Sequence, residues 1–151
     1  IYRQMYKMDR RNPLSRISYA FAFAFTNKMD AAFSIFDQLI QDYPEGFFSS
    51  LATFYSSALK NDAKQARNSV SEGLITTSET DEYYCLKLAE GYALINEKEE
   101  ALDWLEKSAN RGLINYPFLH EYDPFLENIR SEERFKRLME RVKREWENFE
   151  V

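Results

Sequence analysis

The sequence is poor in the residues that most often carry chemistry or force turns. Among 151 residues there is one cysteine, Cys85, and one histidine, His120. An internal disulfide is therefore impossible, and cysteine-rich metal sites and most histidine-based catalysis are excluded with it. The four glycines (Gly46, Gly73, Gly91, Gly112) stand isolated, so no glycine-rich loop can cradle a phosphate. Four prolines and three valines (Val70, Val142, Val151) leave little material for the tight turns and strands of a sandwich or barrel. The longest apolar run, Ile17 to Phe25, contains Ser18 and is about half the length of a membrane span.

What is present favours helix. Ala, Leu, Glu and Lys are plentiful, and a chain that is 44% hydrophobic and 30% charged suits one globular domain. The net charge of −5 is unevenly spread. Residues 1–16 carry Arg3, Lys7, Arg10, Arg11 and Arg16 against Asp9, whereas residues 17–130 hold nine basic and eighteen acidic side chains. An acidic body repels phosphate backbones, so a nucleic-acid partner is not expected. No membrane insertion is expected either.

Three alanines organise the chain: Ala32, Ala66 and Ala101, separated by 34 and 35 residues. Around the first stand Tyr19-Ala20-x-x-Phe23, Ala32-x-x-x-Phe36-x-x-Leu39 and Pro44. Around the third stand Cys85-x-x-Leu88-Ala89-x-x-Tyr92 and Ala101-x-x-x-Leu105-x-x-Ser108. Large residues spaced by three and four place an apolar stripe on each helix, and the small ones let paired helices approach. In the middle unit, Leu51-Ala52-x-x-Tyr55 fits when shifted two residues earlier, which implies a helix or turn two residues longer. The alternation Tyr19 to Phe25 has the period of a strand, but the longer period assigns it to a helix.

This pattern resembles the tetratricopeptide repeat, a helix–turn–helix unit of the same length. The resemblance implies an all-α fold: a right-handed α-solenoid of about three units with a C-terminal capping helix. The units fall at 13–45, 46–79 and 80–113, preceded by the end of an upstream helix at 1–12 and followed by the cap at 114–151. Tyr2 and Met5 stand 34 residues before Phe36 and Leu39, which makes residues 1–9 the end of an earlier second helix and the chain a C-terminal piece. The tail (Gly112, Asn115-Tyr116-Pro117-Phe118-Leu119, Asp123-Pro124-x-Leu126, Arg130, Phe135, Leu138) resembles the closing segment of tetratricopeptide arrays in bacterial multidomain proteins. Such arrays follow kinase, nucleotide cyclase or transcription-regulator domains.

The spacing predicts helices near 13–26, 30–42, 46–60, 63–75, 80–95, 98–111 and 131–149, with a short turn at 124–129. Asn12-Pro13 and Asp123-Pro124 read as N-caps before a first-turn proline. Asp62-x-x-Gln65 and Asn96-x-x-Glu99 read as capping boxes, and Gly112-Leu113 as a left-handed C-cap. In the last helix Phe135, Leu138, Val142, Trp146 and Phe149 form one stripe, expected to pack on the third unit.

Candidate chemistry is thin. His120 near Glu121 and Asp123 lacks a second histidine, and reads as a polar loop residue capping a backbone group. Cys85 sits at a bulky core position among acidic neighbours, which suits a structural thiol. No catalysis, cofactor or metal is expected.

The resemblance implies protein–protein interaction along the face lined by the first helices. The residues assigned to that face are Ile17, Phe21 and Phe25 in the first unit, Tyr55 and Leu59 in the second, and Tyr83, Lys87, Glu90 and Leu94 in the third. Only Lys87 is basic, with Glu90 beside it, which argues against a clamp for a terminal carboxylate. A mostly apolar, aromatic face suits an apolar helix or extended segment, from another protein or from the same polypeptide. Two other roles fit the same residues: a regulatory arm of an attached kinase, cyclase or regulator, and a self-associating structural module.

Overall fold

In the computed structural model, which describes residues 11–149, every regular element among those residues is helical. The chain divides into two compact units, 1–75 and 76–151. Unit 1 holds α1 (Pro13–Phe25), α2 (Met29–Asp42), α3 (Phe47–Leu59) and α4 (Ala63–Asn68). The short helix α5 (Glu72–Ser78) spans the division. Unit 2 holds α6 (Glu82–Leu94), α7 (Lys98–Asn110), a π-helical turn (Phe118–Tyr122), a 3-10 turn (Pro124–Ile129) and α8 (Glu133–Glu147). Tyr2 and Met5, read as the end of an earlier helix, lie outside the described residues. No helix among those described is long and apolar enough to cross a membrane.

The pairs α1–α2, α3–α4 and α6–α7 are joined by the same three-residue turn. Each contains an asparagine in the left-handed region: Asn27 (φ 58°), Asn61 (φ 58°) and Asn96 (φ 61°). In each case the asparagine N–H and that of the next residue donate to carbonyls in the last turn of the preceding helix. Asn27 bonds Ala24 and Lys28 bonds Phe23; Asn61 bonds Ala58 and Asp62 bonds Ser57; Asn96 bonds Ala93 and Glu97 bonds Tyr92, all at 2.8–3.1 Å. This closes the orphan carbonyls of the helix end, and asparagine tolerates the conformation better than other side chains do. Five residues beyond each asparagine lies Ala32, Ala66 or Ala101, each fully buried.

The turn corrects two expectations. The second hairpin has neither a longer helix nor a longer turn: α1, α3 and α6 are 13 residues each. Phe54, fully buried, therefore takes the place held by Ala20 and Ala89, and the two-residue shift is not made. Asn96 also ends α6 rather than capping α7, which starts after Glu97 with no side-chain cap bond.

A third correction concerns 63–75, which is two helices rather than one. The Asp62 carboxylate accepts from the Gln65 amide at 3.0 Å, as its spacing predicts. The Ser69 hydroxyl then donates back to the Ala66 carbonyl at 2.7 Å, and the Ser71 hydroxyl accepts from the Leu74 amide at 3.1 Å. Hydroxyls that bond nearby backbone compete with helix propagation, and Ser71 restarts the chain as an N-cap.

Within unit 1, Phe21 meets Tyr55 edge-on at 4.7 Å between ring centres and Phe36 at 5.8 Å. Arg16, 5% exposed, reaches Asp42 at 2.7 Å and ties α1 to the end of α2. Within unit 2, the Ser108 hydroxyl donates to the Glu82 carbonyl at 2.7 Å and holds α7 to the start of α6. Cys85 is buried, its thiol 3.2 Å from the Ser78 carbonyl, and burial pushes its pKa up. Trp104 is buried with the Lys107 ammonium 4.2 Å from its ring centre.

After α7 the chain turns at Gly112 (φ 109°), with Leu113 donating to the Ser108 carbonyl and Gly112 to that of Ala109. Asp123 breaks the next segment because a residue before proline avoids the helical region. Its side chain caps the 3-10 turn, accepting from the Phe125 amide at 2.9 Å. Helix α8 buries Phe135, Leu138, Met139 and Val142, and Arg134 ties it to Asp103 and Glu106 of α7 at 2.6 and 2.9 Å. The stripe expected to continue through Trp146 and Phe149 does not: they are 44% and 64% exposed. The helix ends at Glu147, so Phe149 has left the helical face and Trp146 occupies its last turn.

Candidate functional site

The three asparagines give a common register for the nine face residues. Two residues before each stand Phe25, Leu59 and Leu94, the last residues of α1, α3 and α6. Six residues before each stand Phe21, Tyr55 and Glu90. These two rows differ in accessibility. Phe25 is 41% exposed, and Leu59 and Leu94 are half-buried. Phe21, Tyr55 and Glu90 are buried, as are Ile17 and Lys87, while Tyr83 is half-buried.

Burial removes Ile17, Phe21 and Tyr55 from direct contact with a ligand. The aromatic packing of Phe21 against Tyr55 and Phe36 explains why: these rings fill the interior of unit 1. Of the three face residues on α1, Phe25, one turn further along, is the exposed one.

In unit 2 the corresponding positions carry charge. The Lys87 ammonium lies 2.7 and 2.8 Å from the two carboxylate oxygens of Glu90 and 5.0 Å from the Tyr83 ring centre. Lys87 is thereby committed as a counter-ion. The third member is Asp123, fully buried, which sequence spacing identified only as a helix cap. Burial, with the Glu90 carboxylate beside it, pushes the Asp123 carboxyl up to about 8, while Lys87 and the Phe125 amide pull it down. Arg130 donates to the Asp123 carbonyl at 2.5 Å and pairs with Glu127, and Asn128 donates to the Ala93 carbonyl at 2.9 Å. The Asn128 bond ties the 3-10 turn to α6, while the two Arg130 contacts brace the turn itself. A lysine and a glutamate on an otherwise interior helix face were the signal in the sequence for a third buried polar partner.

His120 does not cap a backbone group. Its ring stacks on Tyr116 at 4.9 Å, and the pair forms one wall of a cleft of about 450 Å³ with Arg130, Lys136 and Lys143. Among the described residues, no group of three or more His, Cys, Asp or Glu side chains is placed to hold a metal ion.

Compared with protein-family models, with curated proteins and with solved structures, the chain matches none.

Proposed function

We propose that the chain is a tetratricopeptide-like interaction module, a right-handed α-solenoid of helical hairpins that binds an apolar protein segment and carries out no catalysis. The observation that supports it is the recurrence of one turn: a left-handed asparagine at 27, 61 and 96, followed five residues later by a buried alanine. The period also runs on into the tail. Helix α8 begins 35 residues after α7, so residues 116–130 stand where the first arm of a fourth hairpin would be, broken at Asp123 before Pro124. A terminal unit with a polar outer face ends a stack of this kind.

The binding residues on this proposal are Phe25 and Leu59 in unit 1 and Tyr83 and Leu94 in unit 2, none of them fully buried. Their chemistry fits an apolar helix or an extended hydrophobic segment, from a partner or from elsewhere in the same polypeptide. A photo-crosslinking residue at position 25 or 94, compared with one at the exposed Glu140, tests this. Discrete protein adducts from 25 and 94, displaced by excess unmodified chain but not by the Phe25→Ser/Leu94→Ser chain, are expected. Adducts no stronger than those from position 140 would refute it. Exposed Trp146 and Phe149 also suit self-association, which sedimentation at increasing concentration would reveal as a rise in mass abolished by Trp146→Ser.

A further inference from the structure

Three ionisable side chains meet in the interior of unit 2 with a single cation among them. Lys87 is 6% exposed, and Glu90 and Asp123 are fully buried. The ammonium faces both oxygens of Glu90. One oxygen of Asp123 accepts from the Phe125 amide; the other, Oδ2, is closed off from solvent and has no donor. The Glu90 carboxylate is close enough to the Asp123 side chain to add to the effect of burial and raise its pKa. Two ionised carboxylates are both acceptors and repel each other, whereas one proton between them makes an O–H···O⁻ bond and leaves the cluster neutral.

The surrounding charges do not supply that donor. Tyr83 of α6 lies against Lys87. From the 3-10 turn, Arg130 is bonded to the backbone carbonyl of Asp123 and to Glu127, and its buried Nε donates to no group. The π-helical turn carries His120 and Glu121, both exposed and 3.8 Å apart. At the start of α7, Lys98 pairs with Glu132 at 2.5 Å.

We propose that Asp123 and Glu90 share one proton, with Lys87 as counter-ion, and that this proton fastens the segment Phe118–Arg130 to α6. The device is independent of whether α6 contributes to a binding face. Its direction follows from the raised pKa of Asp123. The folded segment holds a proton that an opened one, with a carboxyl near the ordinary 3.8, releases. The stabilisation is complete below that ordinary value, declines as pH rises, and is exhausted above about 8.

Hydrogen exchange of the Phe125 and Arg130 amides in the full chain tests the proposal. The opening ratio is expected to grow about tenfold per pH unit between about pH 5 and about pH 8 in the wild type. Asp123→Asn keeps the cap and donates to Glu90 at every pH, so its opening ratio should lose that slope. An equal slope in both chains would overturn the proposal. Should the variant fail to fold, the carboxyl ¹³C resonance of Asp123 in the wild-type chain decides. A protonated signal at about pH 6 supports the shared proton, and an ionised signal there overturns it.

Discussion

At one register position the two units make opposite choices. Six residues before the turn asparagine, unit 1 places Phe21 and Tyr55, ring against ring, and unit 2 places Glu90, paired with Lys87 and facing Asp123. The turns and the buried alanines are nevertheless the same in both. Hairpin geometry is therefore set by the residues that reverse the chain and by those that let helices touch. The remaining interior positions are free to be filled by any group whose needs are met locally, apolar by packing and ionic by pairing.

The largest expected effect tests whether the polar interior of unit 2 depends on its tail. A chain ending at Arg130 loses the cover supplied by Phe135, Leu138, Met139 and Val142, which costs about 6 kcal/mol or more at ordinary burial values. Calorimetry should show the transition of unit 2 lost or replaced by aggregation. An unchanged midpoint would mean that α8 is dispensable.

Phe21→Ala and Glu90→Ala should each cost about 3–5 kcal/mol, the first by leaving a cavity and the second by stranding a buried ammonium. Denaturant melts separate the causes. Adding Lys87→Met to a chain carrying Glu90→Leu should restore most of the lost stability, because the stranded charge is gone. If the double variant is no more stable than Glu90→Leu alone, the ionic interior is not exchangeable for an apolar one and the contrast between units is deeper than pairing alone.

The turns should behave alike across units. Alanine at 27, 61 or 96 is expected to cost about 1–2 kcal/mol, and glycine much less, since the left-handed region penalises a Cβ. A markedly smaller loss at one of the three would show that its hairpin is held by packing instead. At the low end, Trp146→Ser and Phe149→Ser should change stability by less than about 0.5 kcal/mol, as exposed positions do. A larger loss by either in thermal melts would contradict their exposure.

The hairpins were legible because spacing alone reports them: a residue at 34-residue intervals needs no knowledge of its neighbours. The break at Ser69–Ser71 was harder, since the long period continues through it and only the local hydroxyl bonds oppose the helix. For Trp146, periodicity says which face a residue shares but not where the opposing surface stops. Lys87 and Glu90 fall on the expected accessible face because they lie on the side of their helix that corresponds to Ile17, Phe21 and Phe25, opposite the packing residues. Their partner Asp123 lies on a distant turn, and its own sequence signal, an acid before a proline, was already accounted for by capping.

Trp104 and Trp146 are the two tryptophans of the chain, and both belong to unit 2. Indole emission is accordingly an optical probe of one half of the molecule, while far-ultraviolet dichroism reads helices in both. One indole is enclosed beneath an ammonium and the other lies in water, so their emission maxima and their access to a collisional quencher should separate. Superimposable fluorescence and dichroism curves would reveal that the halves melt together. Divergent ones would time the silent half against the luminous one without any label being added.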